Sequence, residues 1–174
     1  MPVGNLEFIT SETITSSIST LDIDNVFSDK YDVYCITTQG ISTISTTPTN
    51  INGRFLDSTG TVISATEYDY AMLVMRTDIT FSEARATSAD SIINLYGATD
   101  LAPETSGTVT YIFNPYDSSS YTFALSQVGA MNSAILRGRK LIGVHKSAET
   151  IRGIRLVFLN ENVDSGTVSV YGVK

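Results

Sequence analysis

After a turn signal at Ser165-Gly166, Val168 and Val170 alternate with Thr167, Ser169 and Tyr171. Side chains at period two point to opposite faces of a strand, so this pattern predicts one buried and one wet face. Similar segments recur along the chain. Tyr31–Thr38 places Tyr31, Val33 and Cys35 on one face and Asp32, Tyr34 and Ile36 on the other. Tyr68–Arg76 has a continuous apolar centre, Ala71 to Met75, which suits a strand covered on both sides. Ser91–Tyr96, Gly107–Phe113, Tyr121–Gln127 and Ile151–Leu159 complete the clear set. Residues 3–9 suggest a short first strand, and residues 14–19 an edge strand or an extended arm. Gly53–Leu56 and Thr61–Ser64 read as a hairpin joined by Asp57-Ser58-Thr59-Gly60. Residues 133–136 and Leu141–His145 read as a pair of strands around a turn at Arg137-Gly138-Arg139-Lys140. Residues 41–50 and the Pro/Gly segment after Gly97 read as loops. For residues 79–90 the pattern leaves two alternatives, one or two helical turns or an irregular loop.

About ten short strands at regular spacing predict an all-β, antiparallel β-sandwich. Without helices there is nothing to carry parallel crossovers. A jelly roll is the expected topology. No repeat or linker divides the chain, so residues 21–174 are expected to form a single domain, with residues 1–20 as an N-terminal arm or edge strand.

Composition sharpens this picture. Ser and Thr make up about a quarter of the 174 residues, well above ordinary usage. Thr is β-branched and its hydroxyl tolerates water, so it fits the outer face of strands. Net charge is −7, which argues against a nucleic-acid partner, since that needs a basic footprint. The charge is uneven. Residues 1–130 sum to −11 and residues 131–174 to +4. Either a basic patch meets an acidic neighbour in an assembly, or the charges mix once distant strands pair. No segment approaches the apolar length of a membrane helix, and the first ten residues lack the features of a secretory signal. Synthesis in a cytoplasm is the expectation.

Candidate chemistry is sparse. Cys35 has no intrachain disulfide partner and is expected to be a buried thiol. His145, the single histidine, reads as a strand-end surface residue, and no nucleophile-elbow motif accompanies it. One His and one Cys fall short of the usual zinc ligand set, so no metal and no cofactor is expected. Asp22, Asp24, Asp29 and Asp32 suit turns and caps, because the spacing of a calcium loop is missing. No catalytic residue is identified, and an enzyme is not expected. Arg137, Arg139 and Lys140 could present a cationic partner surface or a solvated turn.

The segments GNLEFI, FSDKYDVY, DSTGTVISATEYDYA, IFNPY and GIRLVFLNENVDSGTVSVYGVK resemble small virion proteins from tailed phages of marine bacteria, cyanobacterial phages in particular. The likeness spans most of the chain and rests on turn and strand signatures. It implies a non-enzymatic virion structural protein, assembled in the host cytoplasm, that decorates or cements the capsid exterior. The alternative it implies is a tail-fibre or baseplate module that contacts the host surface, with Tyr116 as a candidate for glycan stacking; a polysaccharide-degrading enzyme is a more distant reading. The implied partners are capsid or tail subunits, with a homo-oligomer, by analogy a trimer, and neither nucleic acid nor membrane.

Overall fold

The computed structural model describes residues 5–44, 49–97, 104–132 and 134–174. Among the described residues there are twelve strands: β1 Leu6–Ile14, β2 Thr20–Ile23, β3 Val33–Thr43, β4 Asn50–Asp57, β5 Tyr68–Arg76, β6 Ser82–Ala89, β7 Ile92–Gly97, β8 Ser106–Phe113, β9 Thr122–Asn132, β10 Ile135–His145, β11 Ile151–Phe158 and β12 Val163–Val173. All pairings are antiparallel. One sheet has the order β1-β12-β3-β8-β9-β10-β5-β6 and the other β2-β11-β4-β7.

The expected jelly roll can be read from these orders. Set aside β5, β6, β9 and β10 and number the remaining eight strands consecutively. The sheets then read 1-8-3-6 and 2-7-4-5, the double Greek key of a jelly roll. The other four strands are two hairpins, inserted after β4 and after β8, that widen one sheet from four strands to eight.

The core lies between the sheets. Tyr34 and Ile36 of β3, Val168 and Val170 of β12, Ile112 of β8 and Leu141 of β10 come from the wide sheet. Ile23, Ile51, Phe55, Ile154 and Leu156 come from the narrow one. Several hydroxyls buried here are paired with one another or with the backbone, as burial favours. Thr38 and Thr108 share a 2.9 Å hydrogen bond, and Thr110 donates to Ser126 at 2.9 Å. Tyr34 donates to the Ser28 carbonyl at 2.9 Å and accepts from the Ser28 amide at 2.7 Å.

Several expectations need correction. Residues 79–90 contain a strand, β6, and not helical turns or an irregular loop. Arg137–Lys140 is not a turn, because it is the middle of β10, continuous from Ile135 to His145. The reversal lies earlier, where Ala134 takes φ 62°; residue 133 is outside the described residues. Charged residues and a glycine made this stretch look like a turn, yet β9 and β5 hydrogen-bond it on both sides. The Asp57 turn forms as expected, with Asp57 Oδ1 accepting from the amides of Thr59 and Thr61. Its second arm is a single bridge, Leu56 to Val62. Within residues 1–20, β1 forms the edge strand of the wide sheet, and the segment after it is held by the Ile18–Val163 bridge. Residues 1–4, 45–48 and 98–103, which carry parts of the expected first strand and loops, are outside the described residues.

The charge asymmetry resolves into cross-strand ion pairs. Basic residues late in the chain meet acidic ones from early in it. Arg155 pairs with Asp22 and Arg152 with Asp24 across β11 and β2, Lys146 with Asp69, and Lys174 with Glu7. The mixing alternative describes these contacts.

Candidate functional site: the outer face of the wide sheet

Along β10, Leu141, Gly143 and His145 point into the sandwich and Lys140 and Ile142 point out. The register carries the outward set across the whole sheet. From Ile142 one cross-strand row runs through Leu125, Tyr111, Cys35 and Tyr171 to Phe8 at the β1 edge. In the other direction it continues to Ala71 and ends at Arg85 on β6. An outward row should be polar on a sheet that faces water. This one is apolar or aromatic on seven of eight strands, and Phe8 and Ile142 are 60% and 59% exposed. Phe8 and Tyr171 meet edge to face, with ring centroids 5.8 Å apart.

A second row lies beside it: Val33, Phe113, Phe123 and Val144, ending at Asp69. Where the two rows meet β5 and β6 they line an open groove of about 580 Å³, walled by Ile142, Val144, Phe123, Ala71, Arg85 and Thr87. Towards the other end of the sheet the face becomes mixed and then flat. Ser169, Thr37, Val109, Gln127, Lys140 and Leu73 form the next row, polar except for the exposed Val109 and Leu73, and Gln39, Gly107, Gly129 and Gly138 the row after that. The glycines leave a trough of about 530 Å³ flanked by Gln39, Thr37 and Gln127. The face therefore grades from an apolar ridge to a shallow polar trough. Clustered exposed apolar surface of this kind marks an interaction site.

The residues singled out from sequence are dispersed. Arg137 and Arg139 face inward on β10, and Lys140 faces outward, so the three form no common patch. Arg139 donates to Asn50 Oδ1 at 3.1 Å, and burial lowers its pKa, as does the nearby Arg137 charge. Tyr116 is 40% exposed on the turn between β8 and β9, away from the apolar row. Cys35 is a buried thiol, as expected. Burial pushes its pKa up, against a smaller opposing effect of a hydrogen bond with Tyr111.

His145 is a correction. It is not a surface residue but 0% exposed, packed against Tyr68 and Phe55 with ring centroids 4.9 and 6.0 Å away. Its Nε2 lies 3.3 Å from Glu67 Oε2 and 3.7 Å from Glu149 Oε1. Sequence reasoning missed this cluster because Glu67, just before β5, is far in sequence from His145 and Glu149, which lie four residues apart at and after the end of β10. No local pattern joins Glu67 to the other two.

The fold thus defines a widened jelly-roll β-sandwich with an apolar sheet face. No family model matches the chain, and no curated protein matches it in sequence. Among solved structures, the exo-inulinase from Aspergillus awamori is similar over 96% of this chain and 29% of that one, at 12% identity and a TM-score of 0.38. This chain thus spans under a third of that enzyme's length. The CBM2 module of the evolved Dit of Lactobacillus casei BL23 phage J-1 is similar over 94% of this chain and 69% of that one, at 10% identity and a TM-score of 0.16. Both likenesses are too slight to bear on fold or function.

Proposed function

We propose that this chain is a non-enzymatic structural subunit of a phage virion, decorating or cementing the capsid exterior through the outer face of its wide sheet. The observation that carries this reading is the apolar row from Phe8 to Ala71. The two inserted hairpins extend the sheet, and the row continues across them through Leu125 and Ile142 of the β9–β10 hairpin and Ala71 of the β5–β6 hairpin. The resemblance of the chain's turn and strand signatures to small virion proteins of marine tailed phages supplies the biological setting.

The test is incorporation into particles. Ile142 is solvated in the free subunit, so Ile142→Thr, which keeps a β-branched side chain on this central strand, should leave thermal unfolding within about 1 kcal/mol of wild type, and Ile142→Asp within about 2 kcal/mol. In infected cells complemented with the Ile142→Asp variant, purified particles should lose the protein, and immunogold label for wild type should lie over the heads. Wild-type incorporation of the variant would refute the docking face. A second reading has its own observation: Tyr116 and Tyr121, 40% and 46% exposed, sit on one turn and offer two phenol faces to a sugar. Label confined to tails, with glycan binding lost in Tyr116→Ala, would establish that host-contact reading instead.

A further inference from the structure

We infer that Glu67, His145 and Glu149 form a binding site for a divalent cation of the zinc class. Their ligand atoms all lie within 4.8 Å of one another. A tetrahedral zinc with bonds of about 2.0–2.2 Å would hold its donors about 3.3–3.6 Å apart. Nε2 of His145 stands 3.3 Å from Glu67 Oε2 and 3.7 Å from Glu149 Oε1, so both carboxylates already sit near ligand spacing from the imidazole, and closing around an ion asks chiefly for the two exposed carboxylates to draw together from a separation within 4.8 Å.

The surroundings support the same reading. The imidazole forms the floor, fully buried and held by the rings of Tyr68 and Phe55. Both carboxylates are partly exposed at the mouth, which leaves an entry path and room for water as a fourth ligand. The nearest lysine in sequence, Lys146, pairs with Asp69 instead. Two glutamates therefore converge on one ring nitrogen, and none of the ion pairs among the described residues brings a Lys or Arg to either of them. A dication would balance that charge. The nitrogen donor favours zinc over calcium, which prefers oxygen ligands alone.

One feature limits the affinity. Binding through Nε2 places the imidazole proton on Nδ1, which has no hydrogen-bond partner. Metal-bound histidines normally donate that proton to an acceptor, and loss of such a partner weakens binding about 10–100-fold. Micromolar affinity is therefore expected, well short of a structural zinc site.

The experiment is calorimetric titration of chelator-treated protein with zinc chloride and, separately, calcium chloride. One zinc per chain should bind with a Kd of about 1–10 μM, at least about tenfold tighter than calcium. Glu67→Gln and Glu149→Gln should each weaken zinc binding about tenfold or more, while the metal-free unfolding temperature changes little because both side chains reach solvent. Cobalt in place of zinc should give the intense visible absorption of a tetrahedral centre. Absence of saturable binding up to about 1 mM zinc would overturn the proposal, since that corresponds to only ~4 kcal/mol of binding energy. So would unchanged affinity in both glutamine variants, which would assign the heat to other carboxylates.

Discussion

Tyr68 shows how single side chains hold this sandwich together. Its hydroxyl donates to the Ile63 carbonyl at 3.1 Å and accepts from the Phe55 amide at 3.0 Å, all within the core. Burial raises its pKa well above the ordinary phenol value, so the group stays neutral and keeps its proton to donate. Tyr68→Phe keeps the ring but strands an amide and a carbonyl. The variant should lose about 1–3 kcal/mol in urea unfolding, with the m-value unchanged. An unchanged midpoint would mean that water reaches these groups. The hydroxyl's role was not legible in the sequence, where Tyr68 reads only as the start of an apolar strand. His145 was misread for the same reason. Alternation along LIGVHK gives the period but not the depth of its last inward position, which is set by Phe55 and Glu67, far away along the chain.

At the scale of elements, β1 is an edge strand that must be kept in place and kept from pairing with strangers. Its outer end is clamped by charge. Glu7 accepts from Lys174 at 2.8 Å and from Lys30 at 2.5 Å, and these two ammonium groups hold its pKa down to about 2, from 4.5. A carboxylate whose pKa falls on folding stabilises the protein above its unfolded pKa, and that contribution disappears as pH drops through 4.5 towards 2. Glu7→Gln should therefore be less stable than wild type at pH 7, and the two urea midpoints should converge near pH 2. A gap that persists at low pH would show that packing, not charge, sets the effect; because Glu7 is solvated, the gap itself should be small. Strands with strong alternation or an apolar run, such as β11 and β12, were legible from their residue pattern alone. β6 was not. Its sequence, SEARATSA, consists of small and polar residues whose strand state comes from pairing with β5. The centre of β10 was hidden by its charges in a similar way, since Arg139 is accommodated inside by Asn50, far away in sequence.

For the whole molecule, the antiparallel β-sandwich class was legible from turn signals and strand spacing, but the strand order was not, because it is set by pairing between distant segments. Nor was the widening of one sheet, because nothing in a hairpin's sequence tells which edge it will join. The resulting topology joins the first strand to the last and places most pairings between distant segments. Such folds must close long loops before gaining native contacts, so refolding from urea should take milliseconds to seconds, as stopped-flow fluorescence of the tyrosines would report. Refolding in microseconds would contradict the pairing order.

The pairing of β1 with β12 has one more consequence. The amide of Lys174 donates to the carbonyl of Asn5 at 2.9 Å, so the two ends of the described fold emerge side by side. The sandwich is in effect a ring with a single cut. A short peptide could seal that cut, and a new one could be opened at the exposed Asp117–Ser120 turn without breaking a strand. Cargo attached at Asn5 or at Lys174 would hang from the same corner of the molecule, beside the edge strand that carries Phe8.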